Sequence, residues 1–244
     1  MSVNRPVVMS IAGFDPSGGA GILADIKTFE QHKVYGLGVL TANTIQSDKD
    51  VREVQWIPVL QIKEQIKLLM ENWNLEWFKI GIVESSDVLQ EVLLFILQHN
   101  PNAKIVWDPV LRSSSGFPFF KADHSIASLL KHITVLTPNL PEFEFLIGSD
   151  EEAVKLSQYT MIYLKGGHRE NAQLGQDWLY WKGVKHILEP QVLGTTKHGS
   201  GCVLSSAICA NLALNIPPIS AFKKSKQYIE KVLNSNPSLL GWHT

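Results

Sequence analysis

Apolar and polar positions alternate along this chain in short segments whose periods predict strands and helices in turn. Val7-Val8-Met9-Ser10-Ile11-Ala12 is a nearly continuous apolar run, as in a strand buried on both faces. A Gly-rich turn over residues 13–21 and a helix over about 22–31 follow. Further strands are predicted over 38–45, 78–83, 104–108, 133–137 and 161–165. Helices with apolar spacing are predicted over 60–73 and 87–98, and another starts near Pro141, where proline suits the first helical turn. Strands that alternate with helices imply βαβ units. The expected fold class is therefore α/β, with a mostly parallel central sheet covered by helices on both faces. Later, residues 177–181 and 184–188 flank Lys182-Gly183, which is a hairpin signal. The chain closes with a helix through Cys202 and another over about 219–233. No repeat, low-complexity tract or linker interrupts the 244 residues, so a single domain over 1–244 is expected.

Composition narrows the function classes. The hydrophobic share of 45% is ample for a core, and the net charge of −1 comes with no basic stripe. Binding of nucleic acid by bulk electrostatics is not expected. Cys202 and Cys209 lie seven residues apart on one predicted helix. That is roughly 10 Å along its axis, too far for a disulfide. Two unpaired thiols suit a reducing compartment. Met1-Ser2-Val3-Asn4-Arg5-Pro6 lacks a signal-peptide pattern, and no apolar run is long enough for a membrane span, so a cytoplasmic protein without membrane partners is expected.

The chemistry concentrates at predicted strand ends. Lys197-His198-Gly199-Ser200-Gly201-Cys202 precedes a run of small and apolar residues that reads as a helix. A Gly-rich helix start leaves N–H groups free and points the positive end of the dipole outward, an arrangement that suits a phosphate in transit. Cys202 falls in the first turn, where a thiol pKa tends to drop. A glycine turn before a buried helix, with Cys202 as a core thiol, explains the segment equally well on its own. Asp15, Gln46, Asp108, Asn139, Glu142 and Lys165 follow or end strands, where open α/β sheets bind ligands. Taken singly, Asn139 and Glu142 also read as a helix cap, Asp108 as an Asp-Pro turn starter and Lys165 as a solvated lysine.

Several segments together resemble the hydroxymethylpyrimidine/phosphomethylpyrimidine kinases of thiamine biosynthesis, in the ribokinase-like superfamily. They are Ala12-Gly13-Phe14-Asp15-Pro16-Ser17-Gly18-Gly19-Ala20-Gly21, Thr137-Pro138-Asn139-Leu140-Pro141-Glu142, Lys165-Gly166-Gly167-His168 and His198-Gly199-Ser200-Gly201-Cys202. The resemblance implies a ribokinase-like fold, ATP and Mg²⁺ as cofactors, and phosphoryl transfer to the hydroxymethyl group of an aminopyrimidine or to the phosphate already on it. It implies that backbone N–H groups of Gly199, Ser200 and Gly201 stabilise the transferring phosphoryl, with Cys202 accepting or orienting the acceptor hydroxyl. Lys165, Asn139 and Asp108 would serve ATP, and Glu142 would hold Mg²⁺ through water. Gln46, Ala20, Gly21, Asp25, Ile82 and Val110 would meet the pyrimidine. A homodimer is also implied. Gly81-Ile82-Val83 and Gln46-Ser47-Asp48 depart from the family's usual residues in the acceptor pocket. A pyridoxal or pyridoxine kinase of the same fold, and a non-catalytic pyrimidine or nucleotide sensor, are the alternatives.

Overall fold

The computed structural model describes residues 5–113, 115–121, 126–168 and 174–243. Residues 1–4, part of the segment read above for a leader pattern, lie outside the described residues. The chain begins with β1 (Val7–Phe14), α1 (Gly21–Gln31), β2 (Tyr35–Gln46), β3 (Val51–Trp56), α2 (Val59–Asn72), β4 (Trp77–Ile80) and α3 (Ser86–His99). It continues with β5 (Lys104–Trp107), α4 (Ile126–Leu129), β6 (Val135–Leu136), α5 (Leu140–Leu146), α6 (Asp150–Leu156) and β7 (Met161–Leu164). The last elements are β8 (Asp177–Trp181), β9 (Val184–Leu188), α7 (Ser200–Ala213) and α8 (Pro218–Leu233).

Among the described residues the strands form one sheet in the order β3-β2-β1-β4-β5-β6-β7-β8-β9. The six from β2 to β7 are parallel; β3 at one edge and β8 near the other run against them, and β9 pairs antiparallel with β8. β1 pairs with β2 on one side and β4 on the other, so the strand order reverses beside β1. A reversal of this kind opens a crevice beyond the carboxyl ends of the strands. Lys182 and Gly183, both at positive φ, make the predicted turn between β8 and β9.

Alternation along the central strands sends side chains to two cores. Val8, Val106, Val135 and Tyr163 pack with residues of α1, α7 and α8, whereas Met9, Ile11, Phe78, Ile80, Ile105 and Trp107 pack with residues of α2 and α3. α7 is buried from Val203 to Ala213, as its all-round apolar sequence requires. The sequence reading missed β3, α4 and α6. β3 is a polar edge strand, and the two helices are only four and seven residues long. β2 also starts earlier than expected, at Tyr35, and β4 stops at Ile80 rather than residue 83.

Candidate active site

A cavity of about 710 Å³ opens at the carboxyl ends of the parallel strands. Gly13, Phe14, Ala20, Gly21, Gln46, Ile82 and Val110 line it toward β1 and β2. Asn139, Glu142, Lys165 and Gly166 line it toward β6 and β7. Gly199, Ser200, Gly201 and Cys202 lie on its wall, with Lys79 and Asp108 nearby. Every residue proposed above from the resemblance reaches this cavity except Asp25.

Two helix starts converge there. Gly199 caps α7 in the left-handed region (φ 71°), which leaves the first N–H groups of the helix without acceptors inside it. A Cβ at Gly199 would lie 2.0 Å from Gly19 O, so only glycine lets this turn sit against the Gly19-Ala20 backbone. Gly21 opens α1, also at positive φ, and its N–H points at the Cys202 sulfur. Cys202 itself is half-buried in the first turn of α7. The acidic thiol expected from this position is corrected. Burial pushes the Cys202 thiol up to about 12; Lys79 opposes this, Asp108 and Asp25 add to it, and the Gly21 N–H opposes it.

Against the first turn of α7, where a Cβ at Gly201 would stand 3.2 Å from its ammonium, Lys165 Nζ donates to Asp108 Oδ1 at 2.8 Å and lies 3.7 Å from Glu142 Oε2. Burial favours the neutral acid of Asp108, but Lys165 and Lys79 outweigh it and hold the carboxyl below its ordinary range. Burial dominates at Glu142 and raises its pKa, with Lys165 opposing. Asn139 and Glu142 form a reciprocal cap of α5. The Glu142 N–H donates to Asn139 Oδ1 at 2.9 Å, and the Asn139 N–H donates to Glu142 Oε2 at 2.7 Å. The capping role and a place on the cavity wall therefore coexist. Among the described residues no group of three His, Cys, Asp or Glu side chains gathers as a metal cage. Buried carboxylates beside a phosphate-sized cradle fit Mg²⁺, which keeps waters and takes phosphate oxygens.

At the opposite end, Asp15 ties the β1 turn to the α7 turn. It accepts from Ser17 N–H at 2.8 Å, Ser17 Oγ at 2.9 Å and Ala20 N–H at 2.8 Å, and pairs with His198 Nε2 at 2.8 Å. Burial would raise its pKa, yet hydrogen bonds from His198, the Gln46 amide, Ser17 and Ala20 lower it well below the usual range. Ile82 packs where Gly13 has no side chain: a Cβ there would sit 2.4 Å from Ile82 Cδ1.

Asp25 does not touch the cavity. As the fifth residue of α1 it points inward and is wholly buried, where it accepts from Ser10 Oγ at 2.6 Å and Ser206 Oγ at 2.7 Å. Its counter-ion is Lys79, which donates to both carboxylate oxygens at 3.0 and 2.9 Å. The sequence reading missed Lys79 and gave His198 no role. A lysine inside the apolar run Trp77-Phe78-Lys79-Ile80 was the available signal, because an unpaired charge there would be costly. Of the two cysteines, Cys209 is buried in the core as expected, and both are free.

The chain is similar to known proteins over nearly its whole length. A family model described as phosphomethylpyrimidine kinase matches residues 15–244. The hydroxymethylpyrimidine/phosphomethylpyrimidine kinase of Aquifex aeolicus is 35% identical over 247 residues, covering 96% of each chain. The crystal structure of phosphomethylpyrimidine kinase from Clostridium difficile 630 superposes with a TM-score of 0.77 at 33% identity, covering 92% of this chain and 98% of that one. An ADP complex of Bacillus subtilis pyridoxal kinase shares the fold at a TM-score of 0.81 and 24% identity, covering 96% and 94% of the two chains.

Proposed function

The chain belongs to the phosphomethylpyrimidine kinase family and is a phosphotransferase, and from that premise we propose that it moves the γ-phosphoryl group of ATP onto 4-amino-5-hydroxymethyl-2-methylpyrimidine, its monophosphate, or both. The observation that carries this reading is the convergence of the α1 and α7 starts on Cys202, with Lys165 and Asp108 against the first turn of α7 and Glu142 beside Lys165. Phosphoryl transfer needs positioning and neutralisation of charge more than covalent help from the protein, and this wall supplies both.

In this reading the N–H groups of Gly199, Ser200, Gly201 and Cys202 hold the oxygens of the group in transfer. Lys165 and Asn139 face the ATP phosphates, and Asp108 holds Lys165 in place. Glu142 would hold Mg²⁺ through water, and the bound ion supplies further neutralisation of phosphate charge. The acceptor ring lies between Ile82 and Val110 over Ala20 and Gly21, with the Gln46 amide offering a donor and an acceptor to an aminopyrimidine edge. The acceptor oxygen forms the new P–O bond as the β–γ bond breaks, and ADP keeps the electron pair of the broken bond. Where the acceptor is the hydroxymethyl group, Cys202 orients its hydroxyl and takes the proton only in the minor thiolate form, which Lys79 and the Gly21 N–H favour and burial opposes. We also take the protein to be a single kinase domain, cytoplasmic and homodimeric, with no nucleic-acid or membrane partner. Its thiols are free, its net charge is −1, and no helix among the described residues is long and apolar enough to cross a membrane.

A coupled ADP-release assay with Mg·ATP tests the proposal, offering the hydroxymethylpyrimidine, its monophosphate, pyridoxal and pyridoxine in parallel. Turnover of one or both pyrimidines is expected. Turnover of the vitamin B6 compounds alone would reassign the acceptor, and ADP release with none of the four would overturn the reading.

A further inference from the structure

The mechanism above gives no part to the most deeply buried charge pair beside Cys202's helix. Lys79 and Asp25 are fully buried, and each is satisfied by the other together with Ser10 and Ser206. Their position matters more than their pairing. Ser206, which donates to Asp25 Oδ1, stands four residues after Cys202 on α7 and so shares its helix face one turn deeper. Lys79 lines the cavity floor as Cys202 does, with its ammonium 3.1 Å from where a Cβ of Gly81 would stand. Two of the three ammonium hydrogens are committed to Asp25. The pair is thus tied to α7 one helical turn beyond Cys202 and joins that helix to α1 and β4.

We propose that the Lys79–Asp25 pair governs how readily Cys202 releases and takes back its proton, with Lys79 acting as a positioning residue through the sulfur rather than on the substrate. Four charged groups act on Cys202: Lys79 from β4, Asp108 after β5, Asp25 from α1 and Lys165 after β7. The two carboxylates oppose the thiolate. Lys79 favours it and is the largest influence working against burial at this thiol. Asp25 in turn keeps Lys79 charged: burial alone would discharge the ammonium, and Asp25 is the main group that reverses this. A buried lysine without such a partner commonly loses its proton.

The inference rests on the kinase reading, but its test does not need the substrate. In a Cys209→Ala background, the rate of Cys202 alkylation by iodoacetamide at pH 8 follows the thiolate fraction. Lys79→Met should slow alkylation about tenfold, the effect of a one-unit rise in the thiol pKa. Lys79→Arg should restore most of the rate. In the kinase assay, Lys79→Met should lower kcat and leave KM for ATP nearly unchanged. Because Lys79→Met strands a buried carboxylate, Lys79→Met/Asp25→Asn serves as the variant with no uncompensated charge, and it too should alkylate more slowly than the parent. A merely loosened site would hydrate the thiol and speed alkylation. Unchanged or faster alkylation in the folded double variant would therefore overturn the proposal, whether or not the acceptor is a pyrimidine.

Discussion

The two faces of the central sheet are built from the same strands and differ in what they place at matching depth. Toward α2 and α3, β1, β4 and β5 present Met9, Ile11, Phe78, Ile80, Ile105 and Trp107. Toward α1 and α7, the alternate positions are apolar at the amino-terminal and middle levels, as at Val8 and Val106, and polar toward the carboxyl ends, at Ser10, Lys79 and, one residue beyond β5, Asp108. Both sets are fully buried. The apolar face needs only complementary volume. The polar face is tenable because its charges are matched: Lys79 by both oxygens of Asp25, and Asp108 by Lys165, Thr137 and Ser205. Alternation along the strands thus gives both faces an apolar core and gives only the α1/α7 face a set of matched buried charges beside the cavity.

Substitutions can break that division one side at a time. The largest effect is expected from Phe78→Ala on the apolar face. It should cost about 3–5 kcal/mol in denaturant unfolding, while kcat per folded molecule stays near the parent value. A large fall in kcat without loss of stability would erase the contrast between the faces. Next, Cys202→Ala on the polar face should lower kcat about a hundredfold, equivalent to about 2.7 kcal/mol. Stability and ATP affinity should be little changed, because the cradle is backbone. Turnover near the parent level would remove the proton role from the sulfur.

The smallest effect sharpens the comparison at the rim. The Asp15 pKa is lowered in the folded state, so this group stabilises the protein above its unfolded value of about 3.9. That contribution is lost as the pH falls further toward the folded value. Thermal unfolding followed between about pH 5 and pH 2 should therefore show a shallower acid decline in Asp15→Asn than in the parent. An unaltered slope would mean that the hydrogen bonds from His198, Ser17 and Ala20 do not depend on its charge.

Much of this was legible in the sequence because apolar runs and the residues that end them are local signals. The β1 turn, the Lys165 strand end, the Asn139–Glu142 cap and the Gly199–Cys202 turn each lie within a few consecutive residues, and all reach the cavity. Two features could not be read that way. Lys79 in its apolar strand signals that a counter-ion is needed, but the partner is 54 residues away in sequence, so nothing local identifies it as Asp25, which the resemblance assigns to the substrate. The Cys202 thiol was expected to be acidic from its helix position, yet the depth of its surroundings reverses the direction. Sequence supplies the helix start but not the burial. β3 escaped for a simpler reason: Val51-Arg52-Glu53-Val54-Gln55-Trp56 is mostly solvent-facing and offers no buried stripe.

The side-chain bonds that close the cavity join distant parts of the chain. His198 meets Asp15 across 183 residues, Ser206 meets Asp25 across 181, and Ser205 meets Asp108 across 97. The hairpin of β8 and β9 and the neighbouring βαβ units can form from near contacts, whereas these links must first close long loops. The geometry around the Gly199 turn therefore depends on longer loop closures than the β8–β9 hairpin does. A chain that has its secondary structure but not these closures holds no arrangement able to activate a phosphate, so the chemistry belongs to the finished fold and to none of its parts.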